Sequence, residues 1–191
     1  MLEKIPGTTL DFQEGMERNA FGALEPVLTA TKGLTLGQIS EMTGLTGSAI
    51  QNWIKRGWVA NPSGKRYGET QVIRIILINM LRPVISLEKI VGLMEYINGS
   101  VEDREDDIIP DRKLFNYLCA VICAADEAHT TDRLEITRII EGEIADFRRD
   151  GEKDKKKLEQ VILCMTMAYL SAEIKRDAEA EIAETLGSLR G

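Results

Sequence analysis

The sequence contains little of what catalytic and metal sites are built from. Its 191 residues include one histidine, His129, and three cysteines, Cys119, Cys123 and Cys164. It has no Cys-x-x-Cys pair, no glycine-rich phosphate-binding loop and no recognisable pairing of a nucleophile with a base. We therefore expect no enzymatic activity, no cofactor and no bound metal.

The cysteines leave one alternative open. Cys119 and Cys123 are four residues apart, so a helix would place both thiols on one face, and Cys164 on another helix could complete a soft metal or redox site. Buried thiols that only pack a core are the favoured interpretation. His129 falls in a predicted turn, where an exposed loop residue is favoured over a catalytic base.

Long apolar runs are also lacking. Residues 1–15 contain no stretch of the kind found in secretory signals. The apolar run from Val161 to Leu170 is shorter than the roughly 20 residues needed to span a bilayer. The expectation is a cytoplasmic protein without membrane contact, and a hydrophobic content of 43% is ample for a core.

Positive charge is scarce overall but unevenly distributed. The net charge of -7 argues against indiscriminate binding to nucleic acid. Between Thr31 and Arg82, however, seven basic residues stand against only Glu41 and Glu69. These basic residues are Lys32, Lys55, Arg56, Lys65, Arg66, Arg74 and Arg82. The local field of this segment therefore favours phosphate.

Two short helices separated by a tight turn are predicted between Leu34 and Gly57. Thr35 is placed to cap the first helix, and Gly44 allows the left-handed turn that ends it. Thr46 is placed to cap the second. The buried positions predicted by helical spacing are Leu36, Ile39 and Met42 in the first helix and Ile50, Trp53 and Ile54 in the second.

The outward face of the second predicted helix carries small and polar side chains. Its members are Gly47, Ser48, Gln51, Asn52 and Lys55. Glutamine and asparagine amides can form two hydrogen bonds with an adenine edge, serine can bond to bases or phosphate, and lysine neutralises phosphate charge. Together with Thr46, this face is the expected contact with the major groove of DNA.

A turn-rich basic segment follows the second helix. Its Asn61-Pro62-Ser63-Gly64 run is typical of a turn. Trp58-Val59 and Arg66-Tyr67 on either side are expected to pair as two very short strands. Such a wing would place Lys65, Arg66 and Tyr67 beside the phosphate backbone.

The remainder of the chain is predicted to be helical. A nearly wholly apolar helix over residues 69–81 must be a central buried element, and an amphipathic helix follows from Ser86 to Ile97. Residues 100–111 form an acidic connector. Predicted helices at about 111–128, 132–149 and 153–186 then form a bundle or hairpin that mediates dimerisation or binds an effector of unknown nature.

Residues 34–97 resemble the N-terminal domain of the MerR family of bacterial transcription regulators. Three markers carry the resemblance: the Thr35–Thr46 opening, Arg56-Gly57 with the Lys65-Arg66-Tyr67 wing, and the Ile85–Ile90 segment. It implies double-stranded DNA as partner, bound by the second helix and wing of a homodimer. The whole chain is still more similar to an uncharacterised bacterial family known only as a domain of unknown function.

The chain also departs from the MerR pattern. Family members generally carry an arginine at the position of Ser48, a basic residue at Gln51 and an aromatic residue at Asn52. The long dimerisation helix that usually follows the position of Asn98 is replaced here by the acidic connector. The geometry of a MerR dimer therefore does not carry over.

The expected fold is mainly α, a MerR-like winged helix-turn-helix with a tiny two-stranded wing followed by the C-terminal helices. The expected organisation is an N-terminal extension with a short helix (1–33), the DNA-binding unit (34–99), the connector (100–111) and the helical region (112–191). A sequence-specific transcription regulator is the leading hypothesis. The alternative is a protein–protein adaptor on the same scaffold without a specific DNA site.

Overall fold

The computed structural model describes residues 2–99, 107–148 and 152–188, and the chain there is mainly helical, as expected. A short 3-10 helix at Ala20–Ala23 precedes the α-helices. These are α1 (Glu25–Thr31), α2 (Leu36–Thr43), α3 (Gly47–Lys55), α4 (Glu69–Leu81), α5 (Leu87–Asn98), α6 (Asp111–Glu127), α7 (Arg133–Glu143) and α8 (Glu152–Ser188). No helix within the described residues is both long and apolar enough to cross a membrane.

Helix α4 is the centre of the fold. Every side chain from Val72 to Ile78 is buried, so the helix has no solvent face over two turns. Helices α2, α5, α6 and α8 pack around it. A helix that is apolar on all sides is stable in water only when it is enclosed in this way, and the expectation of a central buried element is confirmed.

The C-terminal helices share their core with the rest of the chain. Helix α6 packs against α4, α7, α8 and the 3-10 helix, and α8 also packs against α4 and α5. One continuous apolar cluster runs from Ile5 in the N-terminal segment to Tyr169 in α8. Helix α7 ends at Glu143, before the expected position, where the buried Ile144 leaves helical geometry just after Gly142.

The expected acidic connector ends in a buried, well-bonded segment. Its residues 100–106 lie outside the described residues. Ile108 and Ile109 are buried rather than solvated. The buried Asn98 side chain donates to the carbonyl of Ile109 at 2.7 Å and accepts from the amide of Ile109 at 3.2 Å. This amide therefore fastens the end of α5 to the start of α6.

Arg112 connects three helices near the N-terminus of α6. Its Nε and Nη2 donate to the two carboxylate oxygens of Glu69 at 2.9 and 2.6 Å, and its Nη1 donates to Glu25 at 3.2 Å. The guanidinium also lies 5.3 Å from the ring centroid of Phe21. The hydrogen bond with Glu69 is the main cause that raises the pKa of Arg112. A two-pronged bond of this kind defines orientation as well as distance.

Replacement of this guanidinium is expected to destabilise the fold. Arg112→Ala should lower the free energy of unfolding by about 1–2 kcal/mol, because a fork bond to a carboxylate is lost at a partly solvated position. Urea denaturation followed by circular dichroism measures the change. Arg112→Lys is the matched control, since it keeps the charge but not the fork, and should recover less than half of the loss. Equal stability of the alanine variant and the wild type would contradict the role assigned to this residue.

Candidate nucleic-acid interface

Local sequence chemistry defines α2 and the turn that follows it. The Thr35 hydroxyl accepts from the amide of Gln38 at 3.3 Å, and the Gln38 side chain accepts from the amide of Thr35 at 2.9 Å. This reciprocal pair satisfies two amides that a helix start leaves open. Gly44 ends the helix with φ of 69°, the left-handed conformation that glycine adopts at little cost. The expected caps and turn are confirmed.

Helix α3 has a buried face and a polar exposed face. Ile50 and Trp53 are 0% and 3% exposed and anchor the helix in the core. All of the expected groove residues apart from the half-buried Gly47 are exposed: Thr46, Ser48, Gln51, Asn52 and Lys55. The anchored face prevents the helix from rolling, so these side chains are held in a defined direction.

Two of these hydroxyls are already engaged. The Thr46 hydroxyl accepts from the amide of Ala49 at 3.3 Å and thereby caps α3. It also lies 3.1 Å from the Ser48 hydroxyl. Gln51, Asn52 and Lys55 point outward on the next turns. They provide the amide donors and acceptors and the cation that face solvent along this helix.

The basic turn after α3 is a tight hairpin-like turn. Ser63 and Arg66 exchange both backbone hydrogen bonds, at 3.1 and 2.9 Å. The two residues between them, Gly64 and Lys65, have φ of 54° and 65°. Positive φ at both central positions is the requirement of a type I′ turn. Lys65 therefore stands exposed at the tip of the turn.

The expected pairing of Trp58-Val59 with Arg66-Tyr67 is not found, and the described residues contain isolated bridges but no strand. Tyr67 pairs instead with Leu34, and each amide donates to the other residue's carbonyl, at 2.8 and 2.9 Å. This pairing ties the basic turn to the residue before the cap of α2. The main-chain groups of Tyr67 are thus already used by a distant segment of the chain.

The three expected phosphate contacts of the wing differ in accessibility. Lys65 is exposed, whereas Arg66 is half-buried and its Nη1 donates to the carbonyl of Gly33 at 3.1 Å. Tyr67 is only 4% exposed, and burial raises the pKa of its hydroxyl. A phosphate contact needs an exposed side chain, so the ring of Tyr67 serves the core rather than the surface.

Further cations stand near the ends of these elements. Arg56 is exposed at the end of α3, and its guanidinium lies 5.0 Å from the ring centroid of Trp58. Lys32 is exposed just before Gly33, in a left-handed conformation. In the sequence, only their position in the basic segment of residues 31–82 pointed to Arg56 and Lys32. Arg74, counted there too, is buried in α4 and adds nothing to the surface field.

At Gly33 the backbone passes so close to Tyr67 that there is no room for a side chain. Its φ is 106°, and a Cβ there would lie 2.7 Å from the carbonyl oxygen of Tyr67.

Gly33→Ala should lower the free energy of unfolding by roughly 1–3 kcal/mol, since backbone would have to move. Chemical denaturation measures this. Gly92→Ala, in the open middle of α5, is the control and should stabilise by about 0.5–1 kcal/mol; similar values for the two variants would contradict the close approach.

The cysteines do not form one cluster. Cys119 and Cys123 are buried in α6, whereas Cys164 is exposed on α8. Burial raises the pKa of Cys119, and raises that of Cys123 to about 12 with help from nearby carboxylates such as Glu17. Thiols with pKa raised in this way are poor nucleophiles and poor metal ligands. His129 is exposed, in the turn after α6.

Thiol titration tests this arrangement. With Ellman's reagent at pH 8, the folded protein should react rapidly at Cys164 only, because attack requires an accessible thiolate. Cys164→Ser should abolish the fast phase, and denaturant should release the other two thiols. Fast reaction of Cys119 or Cys123 in the folded protein would contradict their burial.

Comparisons with known proteins show that a family model matches the part of the chain that contains the candidate interface. Residues 25–118 match the family model described as "Domain of unknown function (DUF1836)". The "Uncharacterized protein YkrK" of Bacillus subtilis (strain 168) is 24% identical over 193 residues, which cover 96% of this chain and 81% of that protein. No solved structure matches the chain significantly. The matched region extends from α1 into α6 and includes the whole candidate interface.

Proposed function

We propose that this protein is a sequence-specific DNA-binding transcription regulator that acts as a homodimer. The observation that carries the proposal is the anchored helix α3, which exposes Ser48, Gln51, Asn52 and Lys55 together. An α-helix of this kind fits the major groove of B-DNA. In the proposed complex α2, its turn and α3 act as a MerR-like helix-turn-helix, and the turn at residues 63–66 acts as a short wing.

In the proposed complex, the side-chain amides of α3 recognise the bases. Gln51 and Asn52 can each donate and accept toward the N6 and N7 atoms of an adenine. The Ser48 hydroxyl, beside Thr46, is placed for a base or phosphate near the start of the helix. Neither family-typical arginine nor aromatic residue stands at these positions, so the preferred sequence differs from that of MerR regulators.

Phosphate contacts fall to the exposed cations around this helix. Lys55 lies on α3, Lys65 at the tip of the turn, and Arg56 and Lys32 at neighbouring ends of elements. Arg66 contributes less, because it is half-buried and one of its nitrogens already donates to Gly33. Tyr67 is left out of the contact set because its ring is buried. Few contacts and a net charge of -7 favour modest, salt-sensitive affinity.

The test is a binding selection with purified full-length protein against fragmented genomic DNA of its source, followed by gel shifts over a range of salt. The proposal expects an enriched pseudo-palindromic site, because a two-fold dimer presents α3 to two half-sites. If no site is enriched at low salt while the protein is folded, the regulator hypothesis fails and the adaptor hypothesis is favoured.

Variants separate the two kinds of contact. Lys55→Gln and Lys65→Asn should weaken binding to all sequences and each lower the salt slope of the dimer by about 2, since each removes one phosphate contact in each of the two half-sites. Asparagine is chosen at position 65 because it tolerates positive φ. Gln51→Ala should instead relax the preference at one base pair, by about 1–3 kcal/mol of discrimination.

Lys153→Gln, an exposed lysine at the start of α8, is the matched control for loss of charge and should change neither property. If Lys153→Gln weakens binding as much as Lys65→Asn does, the effect is one of net charge and not of the interface.

A further inference from the structure

The last turn of α2 is held by residues that lie far away in the sequence. The final four carbonyls of an α-helix have no partner within the helix itself. Three of those in α2, at Glu41, Met42 and Thr43, accept hydrogen bonds from distant residues. The donors are Thr9 in the N-terminal segment and Asn79 near the end of α4. The end of α2, just before the turn to α3, is therefore secured by two other parts of the chain.

Thr9 provides both a backbone and a side-chain donor. Its amide donates to the carbonyl of Met42 at 2.7 Å. Its hydroxyl lies 3.0 Å from the same oxygen and 3.2 Å from the carbonyl oxygen of Glu41, so it can donate to either. The backbone bond can form with any residue at this position except proline, whereas the hydroxyl bond requires a serine or a threonine.

The N-terminal loop, which comprises residues 3–12, has a fixed position on the body of the protein. The amide of Ile5 donates to the carbonyl of Leu10 at 2.9 Å and closes the loop, and the Ile5 side chain is buried. Gly7 has φ of 76°, and a Cβ there would lie 2.6 Å from the carbonyl oxygen of Ile76. The loop backbone therefore lies directly on α4 before the chain reaches α2.

Asn79 joins this loop, α2 and α4 at one point. Its half-buried side-chain amide donates to the carbonyls of Gly7 and Thr43, each at 2.9 Å. Its side-chain oxygen accepts from Nε of Arg82 at 3.0 Å. An asparagine amide has two N–H donors, so one side chain can hold both the loop and the end of α2.

The other end of α2 is held as well. Leu34, which lies just before the cap of this helix, exchanges both backbone hydrogen bonds with Tyr67. Helix α2 is thus fixed at its start and at its end, and it packs against α3. The two helices of a helix-turn-helix dock on DNA together, so any movement of α2 on α4 would change the direction in which α3 is presented.

We infer that the N-terminal loop, through Thr9 and Asn79, is a positioning element that sets the orientation of the helix-turn-helix. This role rests on the proposed function, although the loop itself contributes no base or phosphate contact. The loop also lies outside the region matched by the family model, which begins at residue 25. Loss of its contacts leaves the exposed cations in place but lets the end of α2 move. Site-specific affinity depends on aligned base contacts and falls, whereas nonspecific affinity depends on phosphate charge and is kept.

Hydrogen exchange of the full-length protein without DNA tests the contact at Asn79. Asn79→Asp keeps the shape of the side chain and the acceptor for Arg82, but an ionised carboxylate cannot donate to Thr43. Exchange at the backbone amides of residues 42–45 should become roughly 10-fold faster relative to that of residues 158–172 in α8, because the end of α2 opens more often.

Asn98→Asp is the matched control for this change. It removes an amide donor to the carbonyl of Ile109, between α5 and α6, and adds the same charge. It should destabilise the protein as a whole but leave the relative exchange of residues 42–45 unchanged. If the two aspartate variants show the same relative exchange, or if Asn79→Asp exchanges like the wild type, the inference is wrong.

The hydroxyl of Thr9 gives a second comparison. Thr9→Val has nearly the same shape and keeps the backbone bond but loses the hydroxyl, so the same amides should exchange roughly 3-fold faster. Thr9→Ser keeps the hydroxyl and should behave like the wild type. A serine variant that exchanges as fast as the valine variant would overturn the role of this hydroxyl.

Gel shifts measure the consequence for DNA at a temperature at which circular dichroism shows all variants folded. Asn79→Asp should bind the selected site roughly 10-fold more weakly but unrelated DNA within about twofold of the wild type. Asn98→Asp should bind both kinds of DNA as the wild type does. Equal loss on both kinds of DNA would overturn the positioning role, because charge or folding would then be the cause. If no site is selected at all, the regulator proposal fails, and the exchange measurements alone decide whether the loop holds α2.

Discussion

Burial of helix α4 is the constraint on which the rest of the fold depends. Seven consecutive residues, from Val72 to Ile78, are buried around its full circumference, although one of them is the arginine Arg74. Each fully buried isoleucine or leucine contributes about 1.5–3 kcal/mol relative to an exposed one. Such a helix cannot lie on a surface, so α2, α5, α6 and α8 must enclose it. Helices α2 to α5 and the C-terminal helices are consequently parts of one core rather than separate bodies on a linker.

This shared core gives the candidate interface a rigid base. Helix α3 is anchored through Ile50 and Trp53, and the basic turn is tied to the start of α2 through Leu34 and Tyr67. Arg112 adds a polar connection from α6 to Glu69, the first residue of α4, only four residues beyond Lys65. These contacts connect the C-terminal helices to the start of α4, close in sequence to the turn at residues 63–66.

The partition of charge fits the proposed division of labour. Several exposed cations lie around α3 and the turn at residues 63–66, whereas carboxylates outnumber cations at residues 174–188 of α8. In the proposed complex, the net charge of -7 limits nonspecific association with DNA. In the proposed complex, affinity for a particular site comes from two copies of that face acting together.

Much of this protein's structure could be predicted from its sequence because it depends on interactions between residues that are close in the chain. Thr35, Thr46 and Gly44 act through hydrogen bonds and φ preferences within a few residues, so the limits of α2 and α3 were predictable, and the all-apolar pattern of α4 required burial wherever its neighbours lay. Tertiary structure alone decided what depends on distant partners. Tyr67 became a core residue because it pairs with Leu34, Arg66 turned toward Gly33, and Cys164 is exposed whereas the two thiols of α6 are buried. Composition and spacing cannot reveal such pairings, because they join residues that only the folded core brings together.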